Sequence, residues 1–477
     1  MNPHKYLLFL LFAIVALGLN SCKPVEVLRQ DTLKPMPQSF GNGNDTTNVS
    51  NINWRQYFTD QNLVQLIDTT LGNNLDLQIA LQRLEIAQSK VLASEGALRP
   101  IVDATAGAAL NKYGAYTMDG AGNRGTEIYK GKDVPIHLPD FFIGLQASWE
   151  IDAWGKLRNQ KKAAVARFLA SMEGKKLVQT NLIAEIATLY YELLALDTEL
   201  KIIDETILLQ ENALAIVRVQ KEAGAANELA VQQFEAQLLN LRGMRLETQQ
   251  MIVENESAIN YLLGRYPQPV VRDSSLFTQN VPPQIFTGIP SSLLQNRPDI
   301  RQAELELMAS KADLNAAKAL FYPSVNISGL LGLQAFRPDL LVTKPQSIVY
   351  SFMGGLVAPL VNKRAIQAEF NAASAYQIET LLAYQQTILN GYVEVYNEVA
   401  NIRNLAQVFG LKTNEADVLF RSIATSNDLF RTSRATYLEV LIAQQNALQT
   451  RLELVNVKKR QFNATINIYR ALGGGWQ

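Results

Sequence analysis

The chain has 477 residues, of which 48% are hydrophobic, and its 44 basic side chains balance its 44 acidic side chains. This is enough apolar material for a large folded body. The balanced charge gives no electrostatic field that would attract nucleic acid, so a DNA- or RNA-binding function is not expected.

The first residues have the pattern of a secretory signal. Lys5 is followed by an apolar run from Leu7 to Leu17, and small and polar residues then precede Cys22. This run is too short to span a membrane, so we predict that residues 1–21 form a signal peptide. No later segment has about eighteen consecutive apolar residues, so no transmembrane helix is predicted after the signal.

Cys22 is the only cysteine of the chain and therefore cannot form an internal disulfide. The sequence Leu19-Asn20-Ser21-Cys22 resembles a bacterial lipobox, although Asn20 departs from the usual small or apolar residue. We predict lipidation of the Cys22 thiol, followed by an extended segment over residues 22–60. Two or three acyl chains at roughly 0.8 kcal/mol per buried methylene make a stable anchor. The alternative is an ordinary signal peptide followed by a free cysteine.

Two long windows of the sequence contain no proline. One runs from Asp140 to Tyr266, and the other includes every residue after Pro359. Interior prolines break helices, and both windows carry apolar residues at spacings of three and four, so both predict long amphipathic helices. The interruptions near Gly224 and near Ser433 predict a turn in each window.

The first window predicts an exceptionally long helix. From Lys156 to Ala223 it would contain about 67 residues and extend on the order of 100 Å. A globular domain needs no helix of this length, so the pattern favours a rod or a tunnel.

Residues 71–107 repeat as residues 294–330 at a constant shift. The matching residues are Leu71, Asn73, Asp76, Ala80, Leu84, Ala93, Pro100 and Val102, which recur as Leu294, Asn296, Asp299, Ala303, Leu307, Ala316, Pro323 and Val325. The Asn-x-x-Asp spacing predicts a helix start in each copy, with Asn73 and Asn296 as the N-caps. In each copy the proline then ends the helix and an extended stretch begins.

The repeat predicts two structural units, over residues 61–285 and 286–477. Each would contain a shorter helix, two strands and a long helix pair. The proline-rich stretch 267–290 would join the two units.

Four segments have the character of strands. They lie near Ile101 to Lys112, Phe141 to Ile151, Val325 to Phe336, and Ile348 to Leu360. Alternating apolar and polar residues suit a barrel strand that faces lipid on one side and the lumen on the other, but a half-buried strand of a soluble sheet fits the same local pattern. Four strands cannot close a barrel, which needs about eight, and open edges are not tolerated in lipid. Several copies of the chain would therefore contribute to one barrel.

Residues for catalysis are scarce. His137 is the only histidine after the predicted signal, so histidine triads and zinc clusters lack material. Acidic residues are plentiful, yet nothing singles out a pair for a carboxylate hydrolase, and the Gly473-Gly474-Gly475 sequence lacks the lysine and following helix of a phosphate loop. We predict no catalytic residue, no cofactor and no metal site.

The chain resembles the TolC-like outer membrane factors, specifically the lipoprotein branch that serves resistance-nodulation-division efflux pumps. The motifs that carry this resemblance are Cys22 after the signal, Trp149-Glu150-Ile151-Asp152 with Trp154-Gly155-Lys156, Asn296-Arg297-Pro298-Asp299-Ile300-Arg301-Gln302-Ala303-Glu304, Ala316-Ala317-Lys318-Ala319 with Phe321-Tyr322-Pro323, Tyr437-Leu438-Glu439-Val440-Leu441, and Tyr469-Arg470-Ala471-Leu472-Gly473-Gly474-Gly475-Trp476. Together they extend over essentially the whole mature chain.

The resemblance implies a mainly α-helical fold with a small β part. Three copies would form a twelve-stranded outer-membrane barrel, four strands from each, continuous with a helical tunnel in the periplasm. The function implied is a passive exit duct for an inner-membrane pump. A periplasmic adaptor and the pump would dock near the turns at Gly224 and Ser433. A duct for type I protein secretion is the alternative within this family, a periplasmic adaptor lipoprotein is a more distant one, and the substrate stays open.

The resemblance also implies a constriction at the periplasmic tip. Family members close the tunnel with rings of acidic residues on the helix after the second tip turn. Here only Glu439 matches such a ring by position, and Ile442 stands where a second acid can occur. Our hypothesis is a cation-preferring ring of Glu439 with a hydrophobic ring of Ile442 beneath it. The alternative is that Glu439 is an ordinary exposed carboxylate of the helix.

Overall fold

A computed structural model describes residues 37, 40, 52–273, 277, 290–359, 361, 363–432 and 434–476. The predicted lipidation site Cys22 and the predicted tip residue Ser433 lie outside the described residues. Within the described ranges, no helix is both long and apolar enough to cross a bilayer.

The first half of the chain is a series of helices with strands between them. In chain order the elements are α1 (Trp54–Tyr57), α2 (Gln61–Asn73), α3 (Leu75–Gly96), β1 (Ile101–Asn111), α4 (Met118–Arg124), β2 (Glu127–Tyr129), β3 (Lys132–Asp133), β4 (Leu138–Ile151), α5 (Lys156–Glu222) and α6 (Glu228–Leu262). The second half repeats the order of the main elements. After a 3-10 turn at Pro290–Ser292 it contains α7 (Leu293–Asn296), α8 (Pro298–Ala319), β5 (Ser324–Ala335), β6 (Ile348–Val357), α9 (Lys363–Arg431) and α10 (Tyr437–Ala471).

The two halves agree closely in the lengths of their helices. The short helices α3 and α8 have 22 residues each, and the return helices α6 and α10 have 35 each. The long helices α5 and α9 have 67 and 69 residues. The prediction of a proline-free helix that begins at Lys156 is therefore confirmed.

The four predicted strands form one antiparallel sheet in the order β1-β4-β5-β6. Strand β4 pairs with β5 and so joins the two halves, with Leu145 opposite Leu331 and Ser148 opposite Ser328. Ala104 on β1 is opposite Leu145, and Tyr350 on β6 is opposite Leu331. Apolar side chains from all four strands therefore lie in one row on one face of the sheet. Helix α4 and the β2–β3 hairpin, which lie between β1 and β4, were not predicted.

The predicted helix caps are wrong by one residue. The N-cap of α3 is Asn74, whose Oδ1 accepts a hydrogen bond from the Leu77 amide at 3.0 Å, because Asn73 still belongs to α2. In the second half Arg297 occupies the N-cap position. Pro298 is the first residue of α8, where a proline's fixed φ and missing N–H are tolerated.

The core of the first half includes side chains from the last helix of the second half. The ring of Phe462 on α10 stacks on Tyr191 of α5 at a centroid distance of 4.3 Å. Leu448 and Val455 of α10 belong to the same buried cluster. Helix α10 therefore packs on both its own long helix α9 and the long helix α5 of the other half.

Candidate functional site: duct-forming surfaces and helical tip

A buried arginine fixes the helices of the second half to one another. Arg297, at the start of α8, donates to Glu394 of α9 at 2.8 Å, to the Ala471 carbonyl of α10 at 2.6 Å, and to Asp299 at 2.7 Å. Arg470 donates to the other oxygen of Glu394 at 2.6 Å. We name this group the Arg297 clamp. Burial alone would lower the pKa of the guanidinium, but the hydrogen bonds and charges of Asp299 and Glu394 raise it, so Arg297 stays charged.

The first half has a neutral version of the same contact. Asn74 takes the place of Arg297, and its Nδ2 donates to the Leu262 carbonyl at the end of α6 at 3.0 Å. Gly264 and Gly473 follow the two return helices with φ of 66° and 89°. A Cβ at Gly473 would stand 2.4 Å from the Asn296 carbonyl oxygen, so this position requires glycine. Both halves thus lock the return helix to the start of the short helix.

The packing of the short helices differs between the halves. Helix α8 packs between α5 and α9, whereas α3 packs on α5 of its own half. One side of α8 faces α5. The corresponding side of α3 is open, and its Ile79 and Ile86 are exposed. An apolar face that one half covers is therefore open in the other.

The return helices show the same difference. On α10, the side chains of Leu448, Val455 and Phe462 are buried against α5. When α6 and α10 are aligned from their first residues, these positions correspond to Leu239, Leu246 and Val253. Those three side chains are 61%, 65% and 55% exposed. They recur every seven residues and form one stripe, which we call the α6 stripe.

The sheet also ends in two open edges. Strand β1 pairs only with β4, and β6 pairs only with β5, within the described sheet. Both edge strands are long, with 11 and 10 residues, and β6 exposes Tyr350 and Phe352. Long apolar edges of this kind are unstable alone in water or lipid.

The far ends of the two helix pairs have equivalent turns. The Ala225 amide donates to the Gln220 carbonyl at 2.8 Å, and the Arg434 amide donates to the Leu429 carbonyl at 2.9 Å. Gly224 has the positive φ of 75° that glycine favours. The predicted tip position Gly224 therefore lies in a turn, as expected.

Glu439 lies in the first turn of α10, directly after the second tip turn, and Ile442 lies in the second turn of this helix. The Glu439 carboxylate accepts a hydrogen bond from the Thr436 amide at 2.7 Å and also contacts the Thr436 hydroxyl, so the two residues form a capping box. The Thr436 hydrogen bond lowers the pKa of Glu439 below its ordinary value. Ile442 is exposed. A charged, exposed carboxylate therefore stands at the tip, and it also has a local role in starting the helix.

Sequence reasoning missed two parts of this arrangement. The Thr-x-x-Glu pattern that starts at Thr436 is a known signal of a capping box and was available in the sequence. The Arg297 clamp had no such signal, because Glu394 and Ala471 are distant from Arg297 in the chain.

Two halves with long helix pairs, a sheet with two open edges and uncovered apolar helix faces define an outer-membrane channel subunit. The model of the outer membrane efflux protein family matches residues 66–265 and 289–474. This chain belongs to that family. It is an outer-membrane channel component of an efflux system, located in the outer membrane.

The similarity to known proteins covers nearly the whole chain. The cation efflux system protein CusC of Escherichia coli (strain CFT073) is 29% identical, with 100% of both chains covered. The pyoverdine export outer membrane protein OpmQ of Pseudomonas aeruginosa is 28% identical, with 89% of this chain and 87% of OpmQ covered. A crystal structure of CusC has a TM-score of 0.78 at 25% identity, covering 94% of this chain and 100% of that one. The outer membrane protein VceC of Vibrio cholerae has a TM-score of 0.77 at 22% identity, covering 89% and 99%.

Proposed function

We propose that three copies of this chain close one twelve-stranded barrel and one helical tunnel, which together form a passive duct. The observation that carries this proposal is the mismatch between the halves. The three main contacts that join the first half to the second within a chain are β4 with β5, α5 with α8, and α5 with α10, and each has an unfilled equivalent. A second copy can fill all of these places by the same operation. The number three comes from the family resemblance.

The sheet edges suit this closure. Strand direction alternates through β1, β4, β5 and β6, so the two edge strands run in opposite directions. Strand β6 of one copy can therefore pair with β1 of the next in the antiparallel manner that joins β4 to β5. A ring of such pairs leaves no open edge, which lipid requires.

The helices supply two further contacts in the same places. Helix α9 of one copy would cover the open side of α3 of the next, as α5 covers α8. The α6 stripe would pack on the α9 helix of a neighbouring copy, as α10 packs on α5. Burying three large apolar side chains per copy would contribute several kcal/mol, at about 1.5–3 kcal/mol for each.

The other predicted features belong to the same duct. Cys22 would carry the lipid anchor, and residues 61–285 and 286–477 would be the two structural repeats. A periplasmic adaptor and an inner-membrane pump would dock near Gly224 and Ser433. The duct would catalyse no reaction and would pass what the pump delivers. The names of the relatives include cations, solvents and pyoverdine, so they do not select one substrate.

The architecture can be tested with the lipidated protein in detergent. We expect an elongated particle with the native mass of three chains, because only a closed ring covers the sheet edges and the open helix faces. Native mass spectrometry and negative-stain imaging measure this directly. A stable monomer in every detergent that keeps the protein folded would contradict the proposal.

The tip constriction predicts a specific change in ion selectivity. Glu439→Gln removes the charge but keeps a side chain that can complete the capping box, so the start of α10 should stay intact. We expect the variant to lose most of the cation preference in single-channel recordings. Since the pKa of Glu439 is lowered, the wild-type preference should persist at neutral pH and fade only below the ordinary pKa of glutamate.

The control for this measurement is Glu415→Gln, which removes an exposed carboxylate from α9 away from the tip turn. Equal cation preference in Glu439→Gln and the wild type would assign Glu439 to helix capping alone.

Ile442→Ala should widen the constriction and raise conductance without changing the sign of the selectivity.

A further inference from the structure

Within one chain, the contact between α5 and α8 has a defined charge pattern. Arg167 on the long helix α5 donates to Glu306 of α8 at 3.3 Å and also contacts Asp313. Small residues let the helices approach here, since Ala163 packs against Ala309 and Ala312. The cation thus lies on the long helix, and both acids lie on the short helix.

The short helix of the first half has the opposite charges at the same positions. Helices α3 and α8 have equal length, and alignment of Leu75 with Pro298 places Arg83 at the position of Glu306 and Lys90 at that of Asp313. Both cations are exposed, and neither has an ion pair among the described residues. They flank Ile86 on the open side of α3.

The long helix of the second half carries acids on an open face. Ala365, Ala368, Ala372 and Ala375 follow one another at spacings of three and four and are all exposed. Glu369 and Glu379 lie on the same face of α9, are exposed, and have no ion pair among the described residues. This face resembles the alanine-rich face of α5 that receives α8, but beyond Arg364 at the start of the helix the charged side chains beside its alanines are acidic.

We propose that these charges specify the contact between copies: Arg83 and Lys90 on α3 of one copy face Glu369 and Glu379 on α9 of the next. This inference rests on the proposed assembly of three copies. The polarity is the reverse of the contact inside the chain, where the long helix is positive and the short helix is negative.

The reversal distinguishes two places that are otherwise alike. If α3 of another copy replaced α8 on α5, Arg83 and Lys90 would face Arg167. If α8 of another copy packed on the open alanine-rich face of α9, Glu306 and Asp313 would face Glu369 and Glu379. Like charges in contact disfavour both exchanges, whereas the correct pairings are complementary. The charges therefore act against wrong pairing of the duplicated halves.

Charge reversal tests this pairing. The variant Arg83→Glu/Lys90→Glu and the variant Glu369→Lys/Glu379→Lys should each raise the concentration below which trimers dissociate by at least about tenfold, since several pairs around the ring become repulsive. The variant with all four changes should return to within about threefold of the wild type, because complementarity is restored. Native mass spectrometry over a dilution series measures the trimer fraction.

A matched control changes charge by the same amount on a solvent-facing side. Lys311→Glu/Lys318→Glu on α8 alters two exposed cations that face neither α5 nor α9 of the chain, and it should leave the trimer fraction unchanged. Helical circular dichroism checks that each variant is folded.

The outcomes separate this inference from the proposed assembly. If the wild type forms no trimer, the assembly proposal fails. If the wild type is trimeric and the two reversed variants dissociate as it does, the pairing is wrong while the assembly stands. Failure of the four-residue variant to recover, with folded chains, also overturns the pairing.

Discussion

Arg297→Met should lower the free energy of unfolding by about 3–5 kcal/mol, the usual cost of removing one partner from a buried ion pair. The change leaves Asp299 without its cation, Glu394 with Arg470 alone, and the Ala471 carbonyl without a donor. Denaturant unfolding followed by helical circular dichroism measures the loss. Because the clamp joins α8, α9 and α10, we expect the second half to lose its protection from hydrogen exchange first.

Two comparisons identify the cause of this loss. Arg301→Met removes an exposed ion pair on the same helix and should cost less than about 1 kcal/mol. Asp299→Asn in the Arg297→Met background should recover part of the stability, because it removes a half-buried carboxylate whose ion-pair partner among the described residues is Arg297, whereas Glu394 keeps Arg470. Equal costs for Arg297→Met and Arg301→Met would show that the clamp is not a main source of stability.

Leu246→Asp should abolish assembly of the three copies while each chain stays folded. Leu246 is in the middle of the α6 stripe, which is exposed in one chain and would be buried between copies. A trimer would have three such contacts, one for each copy, and burying an unpaired carboxylate in each contact would cost several kcal/mol. Native mass spectrometry should then detect monomers, with helical circular dichroism close to that of the wild type.

The equivalent position in the other half provides the sharpest control. Val455 is buried against α5 inside the chain, so Val455→Asp should unfold the chain itself. Leu229→Asp changes an α6 side chain whose equivalent, Leu438, is exposed as well, and it should leave the trimer intact. A trimeric Leu246→Asp protein would show that the α6 stripe is not an interface between copies.

The main helices and strands follow from local patterns in the sequence. Missing prolines and apolar periodicity determined α5 because a helix of this length depends on signals repeated at every turn. The strands near Phe141 and Val325 were predicted because alternation along a long strand is also repeated. Helix α4 and the β2–β3 hairpin were missed because they are too short for either period to appear.

The site was predictable only where local chemistry determines it. The Asn-x-x-Asp spacing placed the helix starts within one residue, but Asn73 was still part of α2, and Pro298 fixed the start of α8. The position of Glu439 came from family resemblance, since no local pattern reports a channel constriction. The Arg297 clamp brings together residues from three helices, and no single-sequence pattern records such distant contacts.

The even number of strands determines which parts of the chain must cross the membrane. Strands β1 and β4 are antiparallel, so the chain enters β1 and leaves β4 at the same end of the strands, and the same holds for β5 and β6. All long helices therefore extend from one end of the strands, and the described segments beyond the opposite end are residues 112–137 and 336–347. Insertion of a copy thus requires the transfer of two segments, one of 26 residues that contains α4 and the β2–β3 hairpin and one of 12 residues. The helices, which contain most of the buried core, lie beyond the other end of the strands and are not transferred.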